Sequence, residues 1–353
     1  MAANAFAPLI QRRYTMKLKA LFLAASLLAG SHALTAQAAD IQSRLIRFGY
    51  GLNQDSNQGR AAKVFADQVE KLSGGKMKVR AIGAAALGSD IQMQQALIGG
   101  AQEMMVGSTA TLVGITKEMA IWDTPFLFNS GEEADQVLDG KTGTLIKDKL
   151  QEKGMVGLVY WENGFRNLTN SQKPVQTGAD FQGLKLRVMQ NNVFLETFRK
   201  LGANAIPLPF SELFTALETK TVDGQENPFN TILSSKFYEV QKYLSVTNHV
   251  YSPWIVTASK KWWDGLSAAE KDVLMKAAEA SRDYERKDTR QEADKALAAL
   301  KEHGMQVNVA TPDSVQQMRA TIAPVNEQIK KEVGADIWQA VQDELAALRK
   351  KGA

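Results

Sequence analysis

Apolar and polar positions alternate along this chain in two periods. Leu184, Leu186 and Val188 alternate with Lys185 and Arg187, the period-2 signature of a strand entered through the turn at Gly183. The same mixture of short strands and helical stretches begins at Leu45. Leu45–Tyr50 predicts a strand, Gly51–Asn57 a polar loop, and Gln58–Leu72 a helix stopped by Gly74-Gly75. Strands over Lys78–Ile82 and Met104–Gly107 flank a helix over Ile91–Ile98, which Ser89-Asp90 introduces. Met155–Tyr160 predicts a buried strand that Trp161-Glu162-Asn163-Gly164 leaves. Phe165–Asn170 then opens a second series: strand Leu184–Val188, helix Val193–Leu201, strand Ala205–Leu208, helix Ser211–Thr219. Asn248–Ala258 predicts a long β-rich crossover back to the first unit, and Trp122–Phe128 an aromatic loop that mainly packs.

This order makes the fold class α/β, with parallel strands and functional loops at their carboxyl ends. Ser267-Ala268-Ala269-Glu270 is a capping box, and no Gly or Pro follows until Gly304. About 36 residues at 1.5 Å each span roughly 54 Å, more than one small domain. Leu274, Ala277, Ala278, Tyr284 and Leu297 do not sustain a coiled-coil heptad, so the helix is expected to back two domains. From Thr311-Pro312 to Lys351 the pattern is helical again, with breaks expected near Pro324 and Gly334.

A length of 353 residues suits two domains. The expected division is 41–164 plus about 253–285, and 165–252 plus about 286–350. The net charge is +4, but residues 1–38 hold Arg12, Arg13, Lys17 and Lys19 and no acid, so the remainder is near neutral and carries no basic patch for nucleic acid. That leader has cations, an apolar run over Ala20–Ala29 and a small-x-small site at Ala36-Gln37-Ala38, the three parts of a secretory signal peptide. Met16 directly precedes it and offers an internal start. Export to the periplasm is expected. No Cys is present, and only His249 and His303 follow the leader, so thiolate chemistry is excluded and a metal site or Ser-His-Asp triad is poorly supplied. No metal or cofactor is expected.

The chain is better supplied with groups that hold a small polar molecule. Arg166 and Arg187 stand at strand ends, and a guanidinium fork matches a carboxylate in two places. A guanidinium cannot shed its proton to escape burial, so each needs an anion. An external carboxylate and an internal pair with Glu162 or Glu196 are both open on spacing alone. Pro228 holds Asn227 away from helical geometry and Gly224 permits a tight turn, so Asn227 serves either a ligand or the turn itself. Phe210, fixed by Pro207 and Pro209, stacks on a ligand or packs. Asn53, Asp90, Ser108 and Asn163 add amide, hydroxyl and acidic groups on the loops.

The runs Asn163-Gly164-Phe165-Arg166, Asp180 to Val188, Pro207 to Glu212 and Val222 to Pro228, with Leu87-Gly88-Ser89-Asp90 and Pro125–Phe128, resemble the solute-binding proteins of tripartite ATP-independent periplasmic (TRAP) transporters. The resemblance covers residues 41–310. It implies a two-domain periplasmic-binding-protein clamshell with a long helix across both domains, acting as a monomer that passes a small organic acid to separate membrane permease subunits. It also puts the family's carboxylate-binding arginine on Arg187, a second ligand arginine on Arg166, and the ligand-facing aromatic and amide on Phe210 and Asn227. The sequence departs from the sialic-acid branch at Ser108 and Thr111, and it lacks the lysine many dicarboxylate-type members carry in the loop that here reads Asn53-Gln54-Asp55-Ser56. Both departures point to a sugar acid, a uronate or aldonate, with a C4-dicarboxylate as the alternative. An exported enzyme using Asp90 and Glu226 as an acid/base pair, or a receptor feeding a membrane sensor, would be the other classes of function.

Overall fold

A computed structural model of the chain describes residues 40–351; the expected signal peptide lies outside the described residues. Strand β1 (Arg44–Gly49) buries Ile46 and Phe48, then passes through a loop to helix α1 (Asn57–Leu72). Ser56 caps α1 by accepting from Gly59 N, and Ala61, Ala62, Phe65 and Val69 form its buried stripe. Strand β2 (Met77–Ile82), helix α2 (Asp90–Gly99) and strand β3 (Met104–Ser108) follow. Both β2 and β3 run parallel to β1. Two 3-10 turns, Thr109–Leu112 and Lys117–Asp123, lead to the short helices α3 (Gly131–Leu138) and α4 (Lys141–Asp148). Trp122 and Phe128 of the aromatic loop are buried, so that segment packs as expected.

The chain then departs from the expected pattern. Met155–Asn170 is one strand, β4, not two. Gly164, at φ +114°, absorbs a register shift in place as a bulge, where a residue with a Cβ would have been forced out of the strand. Strand β5 (Lys185–Val188), helix α5 (Asn192–Lys200), strand β6 (Asn204–Pro207), helix α6 (Leu213–Glu218), strand β7 (Gly224–Asn227) and helix α7 (Phe229–Ser234) form the second series, with β5 parallel to β6 and β7. The expected turn around Gly224 is thus a strand. Gly224 is needed for close approach, because a Cβ there would lie 2.3 Å from the carbonyl oxygen of Thr169 on β4.

Strand β8 (Tyr243–Ser259) returns antiparallel to β4 along its whole length. Helices α8 (Lys260–Asp264) and α9 (Ala268–Glu302), strand β9 (Gln306–Val309) and helices α10 (Pro312–Val333) and α11 (Ala335–Lys351) complete the chain. The sheet order is β2-β1-β3-β8-β4-β7-β5-β6, with β9 on the free edge of β8. One half of the sheet is therefore built on β1–β3 and the other on β5–β7 and β9, and β4 and β8 belong to both.

Helix α9 starts at the expected capping box and packs on α1, β4 and α7, so it backs both halves. Helix α10 continues through Pro324, where a break was expected. Pro324 lies on the exposed face, where water can satisfy the carbonyl its missing N–H leaves free, while Ile322, Val325 and Ile329 stay buried. The break at Gly334 is real, at φ +95°. Helix α10 lies against both the 117–123 turn and α5, and α11 against α3 and α4, so the C-terminal segment covers both halves.

Candidate functional site

Arg187 sits in the middle of β5, paired with β6, between Leu186 and Val188, which are fully buried. Its own side chain is 1% exposed. Nε and Nη2 both donate to the carbonyl of Leu208, at 2.9 and 2.7 Å, and Nη1 reaches the sulfur of Met189 at 3.7 Å. Among the described residues no carboxylate lies within ion-pairing distance of it. Burial pushes its pKa down to about 10, against the upward pull of the Glu226 and Asp90 carboxylates. It is cationic at neutral pH all the same.

Arg166, on β4, is equally buried and electrically different. Its Nε and Nη2 hold the two oxygens of Glu226 on β7, with Nη2 to Oε1 at 2.7 Å. The ring of Phe194 lies 5.4 Å from its guanidinium carbon. Glu226 also bonds His249 Nε2 at 3.0 Å, and His249 Nδ1 in turn bonds the Thr247 hydroxyl at 2.7 Å. Burial alone would raise the Glu226 carboxyl; the Arg166 charge and the His249 bond outweigh it and hold it below the ordinary range. The anion of Arg166 is therefore neither Glu162 nor Glu196. Those two pair with Arg290 at 2.6 Å and Arg199 at 3.2 Å. Glu226 is committed to two partners and lines no part of the cleft described below, so it does not form an acid/base pair with Asp90.

Between the halves of the sheet lies a cleft with two adjoining chambers. Gly51, Asp90, Met189 and Phe210 form the waist that the chambers share. One chamber meets Arg166, Ser108, Asn163 and Asn227; the other meets Arg187, Ser89, Thr111, Gln190 and Ser211. Of the eight expected ligand residues, seven come together here. The eighth, Asn53, lines neither chamber, and its amide donates to the carbonyl of Ser234 at 3.2 Å.

The polar wall is held in fixed orientations. Asp90 opens α2 and accepts from Ser108 N at 2.9 Å. Burial raises its carboxyl, while that bond and the Arg187 charge oppose the rise. Asn163 accepts from the Thr231 hydroxyl at 2.9 Å, and Asn227 donates to Gln225 at 2.6 Å, which leaves the Asn163 amide N–H groups and the Asn227 carbonyl for a ligand. Phe210 packs towards Phe237, ring centres 6.0 Å apart, and still faces both chambers. Sequence reading missed Gln58, Thr231 and Trp254 on the wall. Gln58 had a usable signal, since it lies in the first turn of the helix after a parallel strand, where such sheets bind ligands. No group of three or more His, Cys, Asp or Glu able to hold a metal occurs among the described residues.

Comparison with known proteins matches residues 48–332 to DctP, the bacterial extracellular solute-binding protein family 7. The 2,3-diketo-L-gulonate-binding periplasmic protein YiaO of Escherichia coli (strain K12) is 37% identical over 326 residues, which is 92% of this chain and 97% of that protein. The crystal structure of the sugar acid binding protein DctPAm from Advenella mimigardefordensis strain DPN7T, in complex with galactonate, is 51% identical with a TM-score of 0.86, covering 87% of this chain and 99% of that one. A TRAP periplasmic solute binding protein from Polaromonas sp. JS666, bound to D-erythronate, is 40% identical with a TM-score of 0.82, covering 84% and 98%. Two half-sheets sharing two strands, a helix across both and a polar cleft between them make this the TRAP solute-binding fold, and the chain belongs to bacterial extracellular solute-binding protein family 7, whose members are solute-binding proteins and not enzymes.

Proposed function

We propose that the cleft captures one small sugar acid, an aldonate or uronate, and that Arg187 takes its carboxylate. The observation that carries this is the contrast between two buried arginines: Arg166 has its anion in Glu226, and Arg187 has only a carbonyl and a thioether sulfur. A carboxylate arriving at Arg187 gains charge-assisted bonds to a guanidinium that the fold already buries, and the desolvation cost of that group has been met by the fold. Beyond the waist the wall offers amides, hydroxyls and one acid, with Arg166 neutralised, which suits a hydroxylated tail better than a second carboxylate. The acids for which the three compared relatives are named, 2,3-diketo-L-gulonate, galactonate and D-erythronate, agree with that chemistry.

In this reading residues 1–38 direct the chain to the periplasm. The unit built on 41–164 closes on the unit built on 165–252 about β4 and β8, and the loaded protein, a monomer, delivers its acid to membrane permease subunits. A thermal-shift panel of aldonates, uronates, keto acids and C4-dicarboxylates tests the ligand class, because a ligand at 100 times its Kd adds about 2.7 kcal/mol. Stabilisation by aldonates or uronates is the expected result. A panel in which only succinate and malate stabilise the chain would overturn the sugar-acid reading in favour of a dicarboxylate.

A further inference from the structure

Just past the middle of α9, Thr289 is 2% exposed and serves both halves of the molecule with different oxygens. Its hydroxyl accepts from Asn57 Nδ2 at 2.8 Å, and its backbone carbonyl accepts from Asn230 Nδ2 at 2.9 Å. The hydroxyl proton is spent on Glu285 Oε1, at 2.6 Å, which leaves the oxygen's lone pairs for Asn57. Asn57 opens α1 in the half built on β1–β3, and Asn230 lies in α7 in the half built on β5–β7. Each is the chain neighbour of a cleft residue, Gln58 and Thr231. Those neighbours hold the wall in turn: Gln58 Oε1 accepts from Leu52 N at 2.9 Å, and Thr231 donates to Asn163. Neither asparagine lines the cleft.

The choice of side chain at Asn57 points away from simple packing. The residue is 2% exposed and its Oδ1 has no hydrogen-bond partner among the described residues. A buried amide that satisfies only one end is disfavoured against an apolar residue of similar size unless the bond it does make has a use.

We propose that Asn57, Thr289 and Asn230 form a clasp that fastens the two walls of the cleft to one turn of the long helix in the closed form, and so governs how long a bound acid stays without touching it. This rests on the reading of the cleft as an acid-binding site. When the halves part about β4 and β8, α1 and α7 cannot both keep their bonds to a single residue, so at least one arm opens. Bonds made only in the closed form slow opening and leave encounter with the open form unchanged, so their loss appears in the off-rate. The Asn53–Ser234 bond also joins the two halves.

Stopped-flow tryptophan fluorescence tests the clasp with galactonate as the probe, using Trp254 in the cleft wall. Asn57→Ala and Asn230→Ala should each raise the off-rate about three- to tenfold, the worth of one net hydrogen bond, with the on-rate held within about twofold. Thr289→Val keeps the carbonyl and loses the hydroxyl, so it should reproduce Asn57→Ala. Because the two arms act in series through one residue, its effect should add little to that of Asn57→Ala or of Asn230→Ala. If Asn57→Ala does not fold, Thr289→Val reports the same arm. Unchanged off-rates, or losses confined to the on-rate, would overturn the clasp. Should wild type ignore galactonate but bind another acid of the panel, that acid replaces it as the probe, and only if it is neither an aldonate nor a uronate does the ligand class fall. If no acid binds at all, the reading of the cleft falls and the clasp with it.

Discussion

Arg187 gives two of its nitrogens to one acceptor, the carbonyl of Leu208, and receives no negative charge in return. The single carbonyl fixes the plane of the guanidinium, and its other edge, which meets only the weakly accepting Met189 sulfur, is turned to a flat, two-oxygen partner. A buried, oriented cation without an ion-pair partner is costly to keep in the interior. Its removal should therefore separate stability from binding.

Arg187→Ala is expected to weaken the bound acid at least about 100-fold, since two charge-assisted bonds of about 1.5–3 kcal/mol each disappear. Arg187→Lys keeps the charge but loses the fork and should cost about tenfold. Arg187→Met should leave the ligand-free chain as stable as wild type or more so. Calorimetry and urea unfolding measure the two sides. Any of these variants binding the acid as tightly as wild type would refute the assignment of Arg187.

Arg166 and Glu226 should behave in the opposite way. Removing either one strands its partner in the interior, at about 3–5 kcal/mol, whereas Arg166→Met with Glu226→Leu should cost much less than the sum. Urea unfolding of the three variants gives the coupling. Glu226→Gln also frees a second cation beside the cleft, so it should shift the ligand panel towards dicarboxylates. A preference unchanged from wild type would show that Arg166 does not reach the ligand space.

Two buried acids predict alkaline weakening. Burial raises Asp123 to about 8, against an amide bond from Asn191 and the charge of Arg166 and with help from Glu226. Burial likewise raises Glu285 to about 8, although Thr289 and the backbone N–H of Glu162 donate to it. Between the usual carboxyl range near 4 and about 8, the folded chain keeps protons that the unfolded chain has released. Their contribution is full below that window and is lost as pH rises through it, by up to about 1.4 kcal/mol per pH unit for each group. Urea midpoints should fall from pH 6 to pH 8, and Asp123→Asn or Glu285→Gln should flatten the slope. A midpoint that rises with pH would contradict the direction.

Gly224→Ala should be among the most damaging single-methyl changes. The new Cβ would meet backbone at 2.3 Å, and β7 carries both Glu226 and Asn227. A loss of about 3 kcal/mol or more, together with ligand binding, is expected from the forced strand separation. Gly265→Ala, whose Cβ has its nearest neighbour at 3.5 Å, is the control that should be almost silent. Thermal unfolding of the pair decides it.

Local pattern made the elements legible, and pairing across the sheet did not. The alternation around Arg187, the cap at Ser89 and the capping box at Ser267 are encoded within a few residues, and the structure has them where the pattern put them. The Arg166–Glu226 pair spans 60 positions and exists because β7 lies on β4 in a register that aligns Asn167 with Asn227. No periodicity within either segment carries that register. Gly164 looked like an exit from a strand because glycine usually ends one, and only the pairing to β8 that resumes on both sides of it makes it a bulge. Asn53 had the right chemistry in the right loop, yet its amide turns outward to Ser234.

Because β4 and β8 run side by side through both halves, every route between the halves within the sheet passes along a doubled ribbon bonded to itself. Such a ribbon flexes out of its own plane at its bulges and resists sliding or splaying, since those would break the cross-strand bonds. It acts as a leaf spring with one soft direction. Under the proposed closure, successive closures follow nearly the same arc, and Asp90 and Ser108 on one side return to the same offset from Arg187 on the other. In that reading geometric selectivity towards a ligand's length is written into the mechanics of two strands as much as into the side chains that touch it.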